Sequence, residues 1–247
     1  MGLASALLLC AFTVRSGNAG TMTGGAGFDY QTGPSSQSYR SALVFGSAQG
    51  GAGDITLAGI RYGDSQLGPG TGLFANAGVL MAQRVAARAI VLRVFGDHGY
   101  RAWRWRVGPE FELRPGGTLG FYYLRLTNNA QESFGSAGVE YSAAFTPSIT
   151  AQIGTSYGRW NTDATTTQGT LSGTWHPLAR VILLGELDVG RNLTASSAAG
   201  PSGGGGLGGL PLPGGLGGGG RGKRANETSV QSDVSAAGQV GIRFLIP

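Results

Sequence analysis

The chain has 247 residues, a formal net charge of +5 and only 13% charged residues. The charges are scattered, without a long basic run, so we expect no nucleic-acid partner. The single cysteine, Cys10, excludes an internal disulfide framework and a thiolate metal cluster. A hydrophobic fraction of 41% with 47 glycines suits strands that face lipid on one side and water on the other, and it equally suits a glycine-rich soluble β-sandwich.

The N-terminal residues 1–19 are typical of a secretory leader. Their apolar run from Gly2 to Phe12 is too short to cross a bilayer as a helix, which needs about 20 residues. The small residues Gly17 and Ala19 follow at a suitable cleavage position. The positively charged start of such a leader is missing, which is consistent with a shifted or truncated start. We predict a signal peptide over 1–19 and one domain over 20–247.

After the leader, apolar and polar residues alternate in segments that are separated by turns. Successive side chains of a strand point to opposite faces, so this alternation predicts strands with one apolar and one polar side. The predicted strands are 24–33, 37–49, 53–63, 72–83, 87–96, 100–114, 117–128, 132–145, 148–160, 165–176, 179–192 and 228–246. The last is long, because a typical globular strand has about five or six residues. Three strands alternate poorly and have approximate boundaries: 53–63, 87–96 and 117–128.

The connections between the predicted strands fall into two classes that alternate along the chain. Every second connection is short, and the short ones are 50–52, 85–86, 115–116, 147 and 177–178. The others are longer or more polar, and the last of them is the glycine-rich segment 193–227. Its composition predicts a flexible outer loop, because it cannot bury enough surface to fold alone. Short turns at one rim and longer loops at the other are typical of outer-membrane barrels.

These patterns predict an all-β fold, namely a closed antiparallel transmembrane β-barrel of about twelve strands, with ten or eight as alternatives. Aromatic residues also gather toward both rims, as expected at the two membrane interfaces. The polar faces would line the lumen. Its predicted charged residues are Arg104, Arg106, Glu110, Glu112, Arg125, Glu140, Glu186, Asp188, Asp233 and Arg243. They form either a network of salt bridges that fills the interior or a charged constriction that selects solutes.

The C-terminal strand resembles a known class of membrane protein. Gln239, Gly241, Phe244 and Ile246 stand in the order polar, glycine, hydrophobic, hydrophobic. This order is similar to the assembly signal of Gram-negative outer-membrane β-barrel proteins, which suggests a small porin-like or YaiO-like barrel. YaiO-like barrels and autotransporter translocator domains are nearest in size. The resemblance implies an outer-membrane location, contact with membrane lipid and lipopolysaccharide, and recognition of the last strand by the barrel-assembly machinery. Such proteins usually end in an aromatic residue, whereas this chain ends in Pro247.

Two motifs and two histidines suggest chemistry but lack the context that it requires. Ser156 fits G-x-S-x-G, which needs a sharp turn from strand to helix, yet it falls inside a predicted strand. Residues 217–223 have the spacing of a phosphate-binding loop, but Arg224 stands where Ser or Thr is needed. His98 and His176, the only histidines, fall at opposite predicted rims. We therefore predict no catalytic residue, no metal site and no cofactor.

Three functions remain open from the sequence. The first is a passive channel for small hydrophilic solutes. The second is a structural or surface-interaction barrel that uses the glycine-rich loop and transports nothing. The third is an outer-leaflet lipid-modifying enzyme, a hydrolase that would pair a serine with His98. We rank them in that order, because no serine motif accompanies His98 at the outer rim.

Overall fold

The structure, a computed structural model, describes residues 20–32, 38–64, 68–114, 116–162, 164–196 and 229–246. The predicted leader, 1–19, lies outside these residues, as does the segment 197–228, which holds most of the predicted glycine-rich loop. The strands are β1 (Thr21–Thr32), β2 (Ser38–Gly50), β3 (Gly53–Asp64), β4 (Gly68–Ala82), β5 (Val85–Phe95), β6 (Arg101–Arg114), β7 (Gly117–Asn128), β8 (Ser133–Thr146), β9 (Ile149–Trp160), β10 (Thr165–Leu178), β11 (Val181–Ser196) and β12 (Ser229–Ile246). A 3-10 turn, Asp97–Gly99, precedes β6.

The strands form one closed antiparallel sheet. Each strand pairs with its neighbours in sequence, and β1 pairs with β12 to close the barrel. This confirms the predicted all-β barrel and its twelve strands over the alternatives of ten and eight. Closure satisfies the backbone hydrogen bonds of every strand, which hydrocarbon surroundings require.

The connections sort by rim as predicted. At one rim, the short-turn rim, each connection has two residues: 51–52, 83–84, 115–116, 147–148 and 179–180. At the other, the long-loop rim, connections span three to five residues except the last one, between β11 and β12. The predicted loop 193–227 begins too early, because β11 continues to Ser196 and pairs there with Ser229.

Large apolar side chains point away from the lumen around the barrel and form an apolar belt. Val44, Leu57, Leu73, Phe121 and Ile153 are between 47% and 69% exposed. A soluble monomer rarely exposes a continuous apolar surface of this extent. Strands that alternate apolar-out and polar-in are those of a transmembrane barrel, so the belt is the surface that meets lipid. Among the residues that the structure describes, no helix is long and apolar enough to cross a membrane.

Aromatic residues lie at both ends of the apolar belt. Five aromatic residues toward the short-turn rim lie on the outward face of their strands: Phe111, Phe121, Phe145, Trp175 and Phe244. At the long-loop rim, Tyr30, Trp103 and Tyr157 face outward, whereas Tyr62 and Tyr100 are buried inside the barrel. Outward-facing aromatic residues therefore lie at both membrane interfaces, and other aromatic residues pack in the lumen.

Candidate channel lumen

Most of the predicted lumen charges do face inward. Strand alternation and burial place these on the lumen side: Arg104, Arg106, Glu110, Glu112, Glu140, Glu186, Asp188 and Arg243. Asp233 lies on β12, but its side chain is outside the described part of the structure. Three inward-facing charges were not singled out by the sequence pattern, namely Asp29, Asp54 and Arg88.

The structure contradicts the predicted lumen position of Arg125, which faces outward. Leu124 and Leu126, on either side of it in β7, are 2% and 6% exposed and face the lumen. Arg125 is the register partner of Trp105, which is 37% exposed on the outer surface. Close to the rim, an arginine can extend its long stem along apolar surface and place its charge at the headgroup level.

Arg88 on β5 is the hub of a network that joins β3, β4, β5 and β6. Its Nε donates to Glu110 Oε1 at 2.8 Å, and its Nη1 and Nη2 donate to the two carboxylate oxygens of Asp54 at 3.0 and 3.1 Å. Nη1 also donates to Asn76 Oδ1 at 3.0 Å. Gly78 is the register partner of both Asp54 and Arg88, and a Cβ there would lie 2.6 Å from Asp54 Oδ1. The glycine leaves room for the ion pair to cross β4.

A second network lies on β6 to β9. Arg106 Nη2 forms an ion pair with Glu140 Oε1, and Glu140 Oε2 accepts a hydrogen bond from Gln152 Nε2 at 2.7 Å. The guanidinium of Arg106 also lies 3.8 Å from the centroid of the Tyr122 ring, on the intervening strand. This cation–π contact and the ion pair fix the arginine against the wall.

A third group of charges spans the lumen. Arg104 on β6 interacts electrostatically with Glu186 and Asp188 on β11. These strands are five positions apart in a ring of twelve, so they belong to nearly opposite walls. Asp188 Oδ1 also accepts a hydrogen bond from Thr170 Oγ1 at 2.8 Å. Charges of both signs therefore face each other across the interior.

The seam between β1 and β12 holds a further ion pair. Arg243 Nη2 and Asp29 Oδ1 are 2.7 Å apart, and both side chains are fully buried. Arg243 Nη1 also donates to the carbonyl oxygen of Phe28 at 3.2 Å. Gly27 is the register partner of Arg243, and Gly241 is that of Asp29. A Cβ on either glycine would overlap the ion pair, so both positions require glycine for the seam to close in this way.

The residues that resemble an assembly signal all lie on β12. Gln239 faces inward and is 5% exposed, and Gly241 faces inward beside the ion pair of the seam. Phe244 and Ile246 face outward, with exposures of 44% and 60%. The polar residue and the glycine of the signal thus lie on the lumen side of β12, and its two hydrophobic residues lie on the lipid side. Recognition by the barrel-assembly machinery stays a prediction.

One side of the lumen carries a large apolar cluster, which the sequence pattern did not predict. Buried apolar residues of β2 to β6 and of the adjoining rim, on the same strands as the Arg88 network, form this cluster, the apolar wall: Leu43, Phe45, Ala58, Ile60, Tyr62, Phe74, Ile90, Leu92, Val94, Tyr100 and Ala102. Both faces of β3 and β5 are therefore largely apolar, which explains the poor alternation of 53–63 and 87–96. Burial raises the pKa of Tyr100, which lies outside the strands, so this end of the wall stays uncharged.

The opposite side, on β8 to β12, is mainly polar. Its buried inward-facing polar residues, the polar wall, are Ser136, Glu140, Ser142, Gln152, Ser156, Thr166, Gln168, Ser172, Thr174, Glu186, Asp188, Gln239 and Arg243. Hydroxyl, amide and carboxylate groups prevail here, with Ile182 and Leu184 as an apolar patch near the short-turn rim. Polar groups therefore line β8 to β12 along most of their length, whereas on β2 to β6 they share the interior with the apolar wall.

The residues weighed for catalysis lie in settings that do not fit it. Ser156 is inside β9, which continues to Trp160, so the strand-to-helix turn of a nucleophile elbow is not formed there. His98 lies in the turn Asp97–Gly99 at the long-loop rim, and His176 lies near the end of β10 at the short-turn rim. Among the described residues, no group of three or more His, Cys, Asp or Glu is arranged to hold a metal ion.

Solved structures share this closed barrel. The NanC porin superposes with a TM-score of 0.55 and 10% identity, over 90% of this chain and 98% of that chain. The KdgM porin gives 0.53 and 8% identity, over 91% and 98%. An outer membrane channel from Pseudomonas putida F1 gives 0.51 and 10%, over 94% and 97%. The chain has the fold of an outer-membrane porin. No family model matches it, and no curated protein matches its sequence.

Proposed function

We propose that this protein is an outer-membrane channel through which small hydrophilic solutes diffuse passively. The observation that carries the proposal is the combination of an apolar belt outside with a polar, ion-paired wall inside one closed barrel. Twelve strands make a barrel wider than the eight-strand barrels that side chains fill and narrower than sixteen-strand porins. The shared fold with the NanC and KdgM porins supports the proposal.

The path for solutes follows the polar wall. The apolar wall packs together and narrows the lumen from its own side. Along the polar wall, hydroxyl, amide and carboxylate groups can replace the water molecules that a hydrophilic solute loses on entry. An apolar surface opposite cannot do so, and it restricts the width of the water-filled passage.

The charges of the described lumen favour cations. Inward-facing carboxylates outnumber inward-facing guanidinium groups by seven to four: Asp29, Asp54, Glu110, Glu112, Glu140, Glu186 and Asp188 against Arg88, Arg104, Arg106 and Arg243. Arg88, Arg106 and Arg243 each pair with a carboxylate on a nearby strand. Arg104 on β6 interacts with Glu186 and Asp188 on β11, so two carboxyl groups stand opposite one guanidinium group. Charged side chains at a constriction set ion selectivity.

Conductance in planar phospholipid bilayers tests this proposal. The refolded chain should give stepwise currents, and a salt gradient should give a reversal potential that shows cation preference. The double variant E186Q/D188N should shift the reversal potential toward zero, because it removes both carboxylates that face Arg104. Arg191→Gln, on the outward face of the same strand, is the matched control and should leave the reversal potential unchanged.

Folding must be verified separately, by the change in gel mobility between unheated and heated samples. Folded protein that gives no current contradicts the channel. If wild type and E186Q/D188N conduct with the same ion selectivity, the protein is a channel but the β11 carboxylates do not set its selectivity.

A further inference from the structure

Outward-facing charges of the described strands are all positive. They are arginines, which we call the arginine belt: Arg40, Arg61, Arg93, Arg101, Arg125, Arg159 and Arg191. Each lies within five residues of the end of its strand at the long-loop rim. Every strand carboxylate whose side chain is described faces the lumen instead. Positive charge is therefore concentrated on the outer surface near the long-loop rim.

Two of these arginines flank a groove on the outer surface of β7, β8 and β9. Arg125 and Arg159 are both register partners of Gly135, which lies between them on β8. Because neighbouring strands are about 4.8 Å apart, the two arginine backbones stand about 10 Å apart. Gly135 lies between them, and the Tyr123 hydroxyl reaches over it, 2.8 Å from where a Cβ would be. The groove has a volume of about 370 Å³.

Two tyrosines continue the groove toward the apolar belt. Tyr123 and Tyr157 are both register partners of Ala137, one outward step closer to the barrel middle than Gly135. They are 41% and 60% exposed. Tyrosine rings are typical of the boundary between headgroups and hydrocarbon. The groove therefore presents two cations at its rim end and two aromatic rings at its hydrocarbon end, which is the order of headgroup and acyl chain in a lipid.

We propose that this groove binds the phosphorylated headgroup of lipopolysaccharide in the outer leaflet, with Arg125 and Arg159 contacting its phosphates. The inference rests on the outer-membrane placement proposed above, in which the long-loop rim faces outward. The planar guanidinium fork matches phosphate oxygens in a bidentate way. Tyr123 and Tyr157 pack against the sugar and the upper acyl chain. The other members of the arginine belt add long-range attraction for anionic lipid.

The spacing of the arginines favours lipopolysaccharide over a phospholipid. A phospholipid brings one phosphate to the surface, whereas the diphosphorylated disaccharide of lipid A brings two phosphates within one molecule. Two guanidinium groups on strands separated by β8 can engage two phosphates of such a headgroup together. Once one phosphate is bound, the second phosphate of the same molecule is held close to the second arginine. The second contact therefore increases the affinity of the whole ligand.

Native mass spectrometry of the full chain in detergent, titrated with defined lipids, tests the proposal. Wild type should bind diphosphoryl lipid A more tightly than dephosphorylated lipid A or phosphatidylglycerol. The variant R125Q/R159Q should lose affinity for diphosphoryl lipid A by roughly tenfold or more. The matched control R84Q/R180Q removes the same charge from turns of the short-turn rim and should keep wild-type affinity.

Three results would overturn the proposal: equal losses in both double variants, equal binding of phosphorylated and dephosphorylated lipid A, or a preference for phosphatidylglycerol. If R125Q/R159Q does not fold, R125K/R159K keeps the charge but lacks the fork. Weaker binding by R125K/R159K supports the proposal, and wild-type affinity overturns it. Conductance in pure phospholipid bilayers does not require the groove, so R125Q/R159Q should conduct as wild type does. Loss of lipid binding and loss of channel function are thereby told apart.

Discussion

Replacing Arg243 with methionine should destabilise the seam at which the barrel closes. The β1–β12 pair has nine register partners, compared with twelve for β1–β2 and sixteen for β11–β12. Methionine keeps an unbranched apolar stem but removes the guanidinium group, so the Asp29 carboxylate stays buried without its counterion. Removing one partner of a buried ion pair costs about 3–5 kcal/mol. Ser41 Oγ still donates to Asp29 at 3.2 Å, so we expect the low end, about 3 kcal/mol.

A double-mutant cycle isolates the interaction between the two charges. Asp29→Asn leaves Arg243 buried and unpaired, so it should cost a similar free energy of unfolding. D29N/R243M has neither charge and should cost clearly less than the sum of the two single variants. The free energy of unfolding can be measured by equilibrium urea titration of the refolded protein in lipid vesicles, followed by tryptophan fluorescence.

The control for this cycle is Arg191→Met, which removes an outward-facing arginine at the long-loop rim. It should change the free energy of unfolding by no more than about 0.5 kcal/mol. The reasoning is refuted if R243M lies within about 1 kcal/mol of wild type. It is also refuted if the costs of D29N and R243M add without coupling, because the pair would then contribute nothing as a pair.

Three further changes have defined outcomes. Arg88→Met leaves two carboxylates of its network without a counterion and should cost about 3–5 kcal/mol in the same urea titration. Deleting 200–220, outside the described residues, should preserve the heat-dependent gel shift, because β11 and β12 pair directly up to their ends. Phe244→Ser should slow insertion by purified barrel-assembly machinery, whereas Phe111→Ser, at the same rim, should not. Equal rates for the two serine variants would contradict a signal role for β12.

The sequence predicts the barrel well where the two faces of a strand differ in polarity. The predicted strand 100–114 matches β6, because its inward face carries arginines and glutamates and its outward face carries tryptophans. The predicted strand 228–246 likewise matches β12, whose two faces also differ in polarity. The turns of the short-turn rim were placed within a few residues, because strand length and turn residues together limit where a hairpin can reverse.

Where both faces are apolar, alternation carries no information about which face is inside. On β5, Ile90, Leu92 and Val94 face the lumen while Val91 faces lipid, so alternation does not show which side Arg88 faces, and it was not assigned to the lumen. On β7, the inward-facing residues Leu124 and Leu126 are apolar, and Arg125 between them is on the lipid side. Both errors occur where apolar side chains line the lumen.

The partners of the lumen charges could not be predicted from the sequence, because they depend on register across strands. Arg243 was predicted to face the lumen, but its partner Asp29 comes from the other end of the chain. Which residues face each other there is set only when β1 and β12 pair. Gly27 and Gly241 show that this register is encoded, since both positions must lack a side chain for the ion pair to form.

The sorting of charge between the two surfaces follows from side-chain length. A carboxylate on a short stem cannot reach headgroup level from a strand in hydrocarbon, so it is stable only in the lumen, where arginines or water compensate its charge. An arginine near a rim can extend along the apolar surface and keep its charge among headgroups. This rule accounts for an interior rich in acids and an outer surface that carries arginine alone. It also predicts that Arg125→Glu destabilises the barrel more than Arg125→Gln, because the shorter glutamate side chain keeps its charge nearer the hydrocarbon than arginine does.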